Sequence, residues 1–409
     1  MHAFAASRLA LAALCALCIP AAAVGQGTAP AAPYRAPYLP KSDTEVLQRV
    51  PAASDPAVRQ MATLRARLVA DPSNLRVADE LAHTYIDFGR RVGDAHYAGY
   101  AEAVIAPWAG LPSPPAAVLV TQATILQYRH EFGHARALLM KAVAQEPKHA
   151  QAWLSLATLD MVQGDYASAA LHCSNVGKHG GFALGLACAG HLRLYTGQAE
   201  QGMALLAQIE SDAPSLPASF KAWVQGLLAE GAERLGQWNT AEAHYRKALG
   251  YTPQDNFLLV AYADFLLDRG RPKEVLALLA DYSESDTAFL RLALAHAALA
   301  TPQAARYKWV MAARFEAYTQ RGSEFFGREQ ARYLTHLAQD PGGALAAAER
   351  NWAVQREPWD ARVLLEAAQS ARQPKAAAPV LAFIAQSKLQ DPQIEALAKA
   401  ARSQLASLP

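Results

Sequence analysis

The sequence predicts an all-α fold, a right-handed α-solenoid of about nine helix pairs with capping helices at its ends. Three observations lead there. Prolines recur at Asp71-Pro72, Glu146-Pro147, Thr252-Pro253, Glu357-Pro358 and Asp391-Pro392, spaced by 75, 106, 105 and 34 residues. Those spacings lie near whole multiples of 34, so nine units fit with fourteen residues inserted. Each proline is expected to close an apolar helical stretch, because proline cannot continue the hydrogen-bond ladder. Composition agrees: 52% of residues are hydrophobic and only 18% charged. A chain of 409 residues exceeds the usual single-core domain. A stacked array escapes that limit because each unit packs only on its neighbours.

The elements can be taken in order. Residues 1–25 read as a secretory signal peptide: Arg8 provides the n-region charge, Leu9 to Ile19 the apolar core, and Pro20 breaks it. Either Ala21-Ala22-Ala23 or Ala23-Val24-Gly25 supplies the small residues of a cleavage site. The apolar run is too short for a retained membrane helix. Leu14 and Leu17 stand where a lipobox before Cys15 or Cys18 would need a small residue. The mature chain is therefore expected in the periplasm, with an extracellular address as second choice. Residues 26–54 are an Ala/Pro-rich leader, and the solenoid runs over 55–409. A first helix is expected at about 55–70 and a terminal capping helix at Gln393 to Leu408.

The clearest unit is 150–176. Trp153, Leu156 and Ala157 share one helical face, Gly164-Asp165-Tyr166 makes a turn, and Ala169 and Cys173 share a face of the next helix. Leu228, Ala229, Gly236, Trp238, Ala241, Tyr245, Ala248 and Pro253 repeat this order. Large residues on one helix enter the space left by alanine on its neighbour. The pattern resembles the tetratricopeptide repeat family. The resemblance is strong over 116–176 and 222–282 and weaker over 72–110, 183–215 and 287–392. The whole chain looks like the exported bacterial tetratricopeptide-repeat proteins, which implies an interaction role without naming a partner. Insertions are placed between Gly89 and Pro115, near Gly177–Gly181 or Asp212–Pro217, and near Thr301 or Gly322.

Cys173 and Cys188 survive signal cleavage and enter an oxidising compartment. They are expected to form a disulfide across the Gly180-Gly181 turn, the alternative being two buried thiols. Net charge is +2, from 38 basic and 36 acidic residues, which gives no electrostatic reason to expect nucleic acid as partner.

One enzyme-like motif stands out. His130-Glu131-Phe132-Gly133-His134 matches HExxH, which on one continuous helix would offer two zinc ligands and a general base. The repeat register instead puts His130 and Glu131 in a turn, and after Glu146 no glutamate follows until Glu200. Both histidines are read as solvent-facing. A zinc-dependent hydrolase is thus the second reading, and no metal or other cofactor is expected. His172, His179 and His191 are read as surface or satisfied helix residues.

A tetratricopeptide solenoid lines its concave side with the first helix of each pair. The resemblance places there Tyr128, Thr158, Met161, Trp223, Glu230, Glu233, Arg234, Phe257, Asp264 and Asp268. The early part is apolar and the later part acidic, fit for a peptide with apolar anchors and basic groups. The leading expectation is a non-enzymatic exported scaffold or adaptor for a protein or peptide. A spacer subunit of a cell-envelope assembly is a further alternative.

Overall fold

The computed structural model describes residues 42, 55–94, 96–212, 215–320 and 327–407. The signal peptide and, apart from Ser42, the leader up to residue 54 lie outside the described residues, as does the insertion considered near Gly322. The helices belong to one compact unit that begins at Ala53.

Among the described residues the fold is all-α, a solenoid of antiparallel helix pairs. It opens with α1 (Pro56–Ala70). The first pairs are α2 (Leu75–Val92) with α3 (His96–Ala109), α4 (Ala116–Tyr128) with α5 (Phe132–Gln145), and α6 (Ala150–Gln163) with α7 (Tyr166–Gly180). Then come α8 (Phe182–Tyr195) with α9 (Ala199–Asp212), α10 (Ala218–Arg234) with α11 (Trp238–Tyr251), and α12 (Asn256–Asp268) with the short α13 (Pro272–Leu278). They are followed by α14 (Asp286–Ala298), α15 (Ala304–Gln320) and α16 (Gly327–Tyr333), which runs into a π-helical turn at Leu334–Ala338. The chain finishes with α17 (Pro341–Val354), α18 (Pro358–Ser370), a 3-10 turn at Pro374–Ala377, α19 (Ala378–Ser387) and α20 (Pro392–Ala406).

The packing follows the expected logic. Ala157, Ala229 and Ala263 are fully buried, each letting a neighbouring helix approach closely. Leu156, Leu228 and Phe265 on the same helices are buried as well. Tight turns inside pairs use left-handed residues, for example Gly164 (φ 76). In the α4–α5 turn that position falls to His130 (φ 60).

The proline punctuation divides into two kinds. Asp71, Glu146 and Thr252 cap the ends of α1, α5 and α11, as expected. Pro358 and Pro392 instead open α18 and α20 as first-turn residues. Proline is preorganised for that position, where its missing N–H costs no helix bond. The residues before them are N-caps: Asp391 accepts from the N–H groups of Gln393 and Ile394 at 3.0 Å. Helix ends and helix starts therefore share one dipeptide, and the two kinds cannot be separated by spacing.

The array also curls back on itself. The α2–α3 turn meets the starts of α12 and α14. Arg91 Nη1 donates to Gln254 Oε1 at 2.7 Å, and a Cβ built on Gly93 would lie 2.4 Å from Ser285 Oγ. The five pairs from α2–α3 to α10–α11, with α12 closing on α2, thus make a closed wall, and α16–α20 lie across the C-terminal ends of its first helices.

Candidate functional site

Local sequence places most of the candidate side chains in the C-terminal halves of α4, α6, α10 and α12, where the first helices of the pairs face the inside of the curl, and Trp223 and Phe257 near the starts of α10 and α12. Glu230, Glu233 and Arg234 form the last turn of α10; Asp264 and Asp268, one turn apart, end α12. The sequence reading expected these groups to face an open groove. In the structure, most of them meet helices of their own chain.

Asp264 is buried between two guanidinium groups. Arg291 of α14 donates from Nε and Nη2 at 3.0 and 2.7 Å, and Arg332 of α16 from Nη1 and Nη2 at 3.0 and 2.8 Å. Burial by itself would raise the Asp264 carboxyl, but the two arginines outweigh it and hold the group well below the usual carboxylate range. Asp268 receives Arg362 of α18 in the same bidentate way, at 2.6 and 2.8 Å. Arg362 also donates to Glu366 at 2.7 Å, and its guanidinium lies 4.3 Å from the Trp359 ring centroid.

The α10 group is more enclosed. Arg234 pairs with Glu230, lies 3.7 Å from Asp391 and sits 5.0 Å from the Tyr195 ring centroid. Glu233 Oε1 accepts from Tyr245 Oη at 2.5 Å. Burial pushes the Glu233 carboxyl up to about 8; the Tyr245 bond pulls it down, while Asp268, Glu230 and Asp391 push it further up. Glu233 is therefore largely protonated near neutral pH.

The remaining expected groove residues are dispersed. Met161 is buried in the core shared with Leu194 and Val224. Tyr128, Thr158 and Trp223 are half-buried, whereas Phe257 stands 74% exposed. An open trough running past all ten residues is not what the chain presents. The physical reason is that Asp264 and Asp268 already have counter-charges from α14, α16 and α18, while Glu230 pairs with Arg234 inside α10 and Glu233 bonds Tyr245. Sequence reasoning missed Arg291, Arg332 and Arg362. The available signal was an arginine inside the apolar run from Phe289 to Leu294, since a charge on an apolar face requires a buried partner.

HExxH is split by the helix break. α4 ends at Tyr128 and α5 starts at Phe132, with Glu131 as N-cap. His130 and His134 are not on one helix face. His134 is exposed, 3.3 Å from Glu131. His130 is not solvent-facing as expected: burial and the nearby Arg328 both depress its pKa, because α16 covers this turn. Among the described residues no group of three or more His, Cys, Asp or Glu side chains could hold a metal ion. His172 is a satisfied helix residue, with Nδ1 2.5 Å from the buried Asp160, which also receives Arg136.

Cys173 of α7 and Cys188 of α8 stand at disulfide distance, with Cα atoms 5.5 Å apart. On another face, a cavity of about 220 Å³ is floored by Ile209, Leu216, Phe220 and Val224 and rimmed by Lys221 and Lys247. Lys247 is committed to Glu210 at 2.6 Å. No described helix is long and apolar enough to cross a membrane.

No family model matches the chain, and no curated protein does. Among solved structures, the chain is similar to a crystal structure of the APC/C hetero-tetramer Cut9-Hcn1. Identity is 13% over 84% of this chain, with TM-score 0.42, and 52% of that chain is covered, so this protein spans about half its length. It is also similar to a tetratricopeptide repeat protein from Parabacteroides merdae, at 12% identity over 71% of this chain and 97% of that one, with TM-score 0.36.

Proposed function

We propose that this protein is a non-enzymatic, exported scaffold that holds a protein or peptide partner, acting in the periplasm. One observation supports this above the others. The inner wall spends its charged side chains on bidentate arginine–carboxylate contacts between helices, at Asp264 and Asp268. That is chemistry for holding a helix in register with fixed geometry. Phe257, exposed on α12, supplies an apolar anchor beside the same wall.

The test is photocrosslinking in intact cells, with the photoreactive residue placed at Thr158, Trp223 or Phe257 of the full chain. The expected result is a discrete protein adduct from the exported fraction. A chain that stays in the cytosol, or yields only self-adducts from all three positions, would count against the reading. Stoichiometric zinc in the purified protein would instead favour a hydrolase built on His130, Glu131 and His134. A fixed complex insensitive to changes at these three positions would favour a spacer.

A further inference from the structure

One first helix breaks the length rule of the array. α4, α6 and α12 each start 14 residues before the left-handed residue of their turn, at His130, Gly164 and Gly270. α10 starts 18 residues before Gly236. Its additional turn is Ala218 to Lys221, directly after the stretch where an insertion at Asp212–Pro217 was expected. That turn carries Phe220 and Lys221, and both line the cavity of about 220 Å³ between the start of α10 and the ends of α9 and α11. Ile209 and Val224 are buried in its floor, and Leu216 and Phe220 are half-buried. An unfilled apolar hole forfeits dispersion contacts along its whole lining, so a ligand of matching shape recovers them.

The rim sets the polar end of such a ligand. Lys221 Nζ lies 5.9 Å from the Tyr251 ring centroid. Lys247 donates to Glu210 at 2.6 Å, and the buried Gln225 donates to the same oxygen. An ammonium keeps donors to spare after one such bond. Two lysines against one glutamate leave the lining with a single net positive charge. A singly charged head matches it, whereas a doubly charged phosphate would be pressed against Glu210. Size narrows the rest. An apolar cavity of about 150 Å³ takes up benzene, and the further volume here, on the order of 70 Å³, admits two or three more groups at roughly 30 Å³ each. We propose that this cavity binds a small carboxylate with an aryl or alkyl tail, the tail on Ile209, Phe220 and Val224 and the head at Lys221 and Lys247. The site stands apart from the inner wall and does not depend on the scaffold reading. Two sources share this chemistry, a free acid and a chain end that closes on phenylalanine.

The probe is 3-phenylpropionate, titrated into the full chain by calorimetry and ligand-observed NMR. The expected result is one saturable site and a raised Tm. The matching amide, 3-phenylpropanamide, keeps the shape and loses the charge, and should bind at least about tenfold more weakly. Added salt should weaken the acid and leave the amide unchanged. K221E turns the rim negative and should cut acid affinity at least about tenfold without changing the amide. L216W puts an indole at the cavity and should abolish binding of both. Should L216W fail to fold, K221E, a change at the rim, must still separate acid from amide. No saturable binding of the acid, equal binding of acid and amide, or unchanged acid binding in K221E or in folded L216W would overturn the proposal. A tripeptide ending in phenylalanine separates the sources. Displacement of 3-phenylpropionate by its free-carboxylate form alone would support a chain end as the ligand. Displacement by neither form would support a free acid, and equal displacement by the carboxylate and amidated forms would overturn the assignment of the head.

Discussion

Replacing Glu233 by Gln removes one titrating proton from the inside of the wall while keeping the side chain's shape and its acceptor for Tyr245 Oη. The folded carboxyl titrates at about 8 against an ordinary 4.5. Between those values the folded chain binds a proton that the unfolded chain has lost, so stability falls as pH rises through the window. Every tenfold gain in proton affinity on folding corresponds to about 1.4 kcal/mol. The full difference is on the order of 5 kcal/mol, a ceiling because Glu230, Arg234 and Asp391 can readjust around the new charge. Gln cannot ionise, so E233Q should lack this slope. The two proteins should be of similar stability at pH 5, and E233Q should be more stable by about 2–4 kcal/mol at pH 8.5. Urea denaturation at pH 5, 7 and 8.5 and constant ionic strength measures the difference, from which groups common to both proteins cancel. Parallel pH profiles would show that Glu233 is not buried as described. An E233Q protein weaker by the same amount at every pH would show that geometry, and not ionisation, governs this position. Either result would refute the reasoning.

Other outcomes follow from the same buried groups and from the cysteine pair. Asp264→Asn leaves Arg291 and Arg332 buried with one counter-charge fewer, and should cost about 3–5 kcal/mol in denaturant unfolding. Because the Asp264 carboxyl is held below its ordinary 3.8, its stabilisation is present above that value and lost as pH falls further; D264N should flatten the acid limb of the wild-type profile. The Cys173–Cys188 link closes a loop with a sequence separation of 15, so replacing both by Ser, or reducing the protein, should destabilise it by about 3 kcal/mol. Thiol counting in protein purified from the exported fraction should find none free without reductant. N-terminal sequencing of the same material should read from the residue after Ala23 or Gly25; an intact Met1 would contradict the proposed export.

Much of the fold could be read locally. A helix pair is written in a few positions: alanine where a neighbour approaches, a large residue opposite, and a left-handed residue between. Hence α4–α7 and α10–α13 fall where the 116–176 and 222–282 units predicted them. α1 and α20 match the expected first and last helices within two residues. The break in HExxH followed from register alone, since Phe132 and Ala135 are core residues of α5. Proline was less informative than it seemed, because it ends α5 yet begins α18 and α20.

The candidate site was legible only in part. Asp264 and Asp268 were expected to face the basic groups of a bound partner; in the structure they meet arginines of their own chain. That those groups are Arg332 and Arg362, from 68 and 94 residues further along the chain, could not be read from a repeat pattern. Sequence alone sufficed for the helix pairs and their turns, because each depends on neighbours within one or two units. The closing of the wall, and the resting of α17–α20 against it, emerge only in the folded chain. Closure depends on small rotations accumulated over five pairs, and no single residue records that sum.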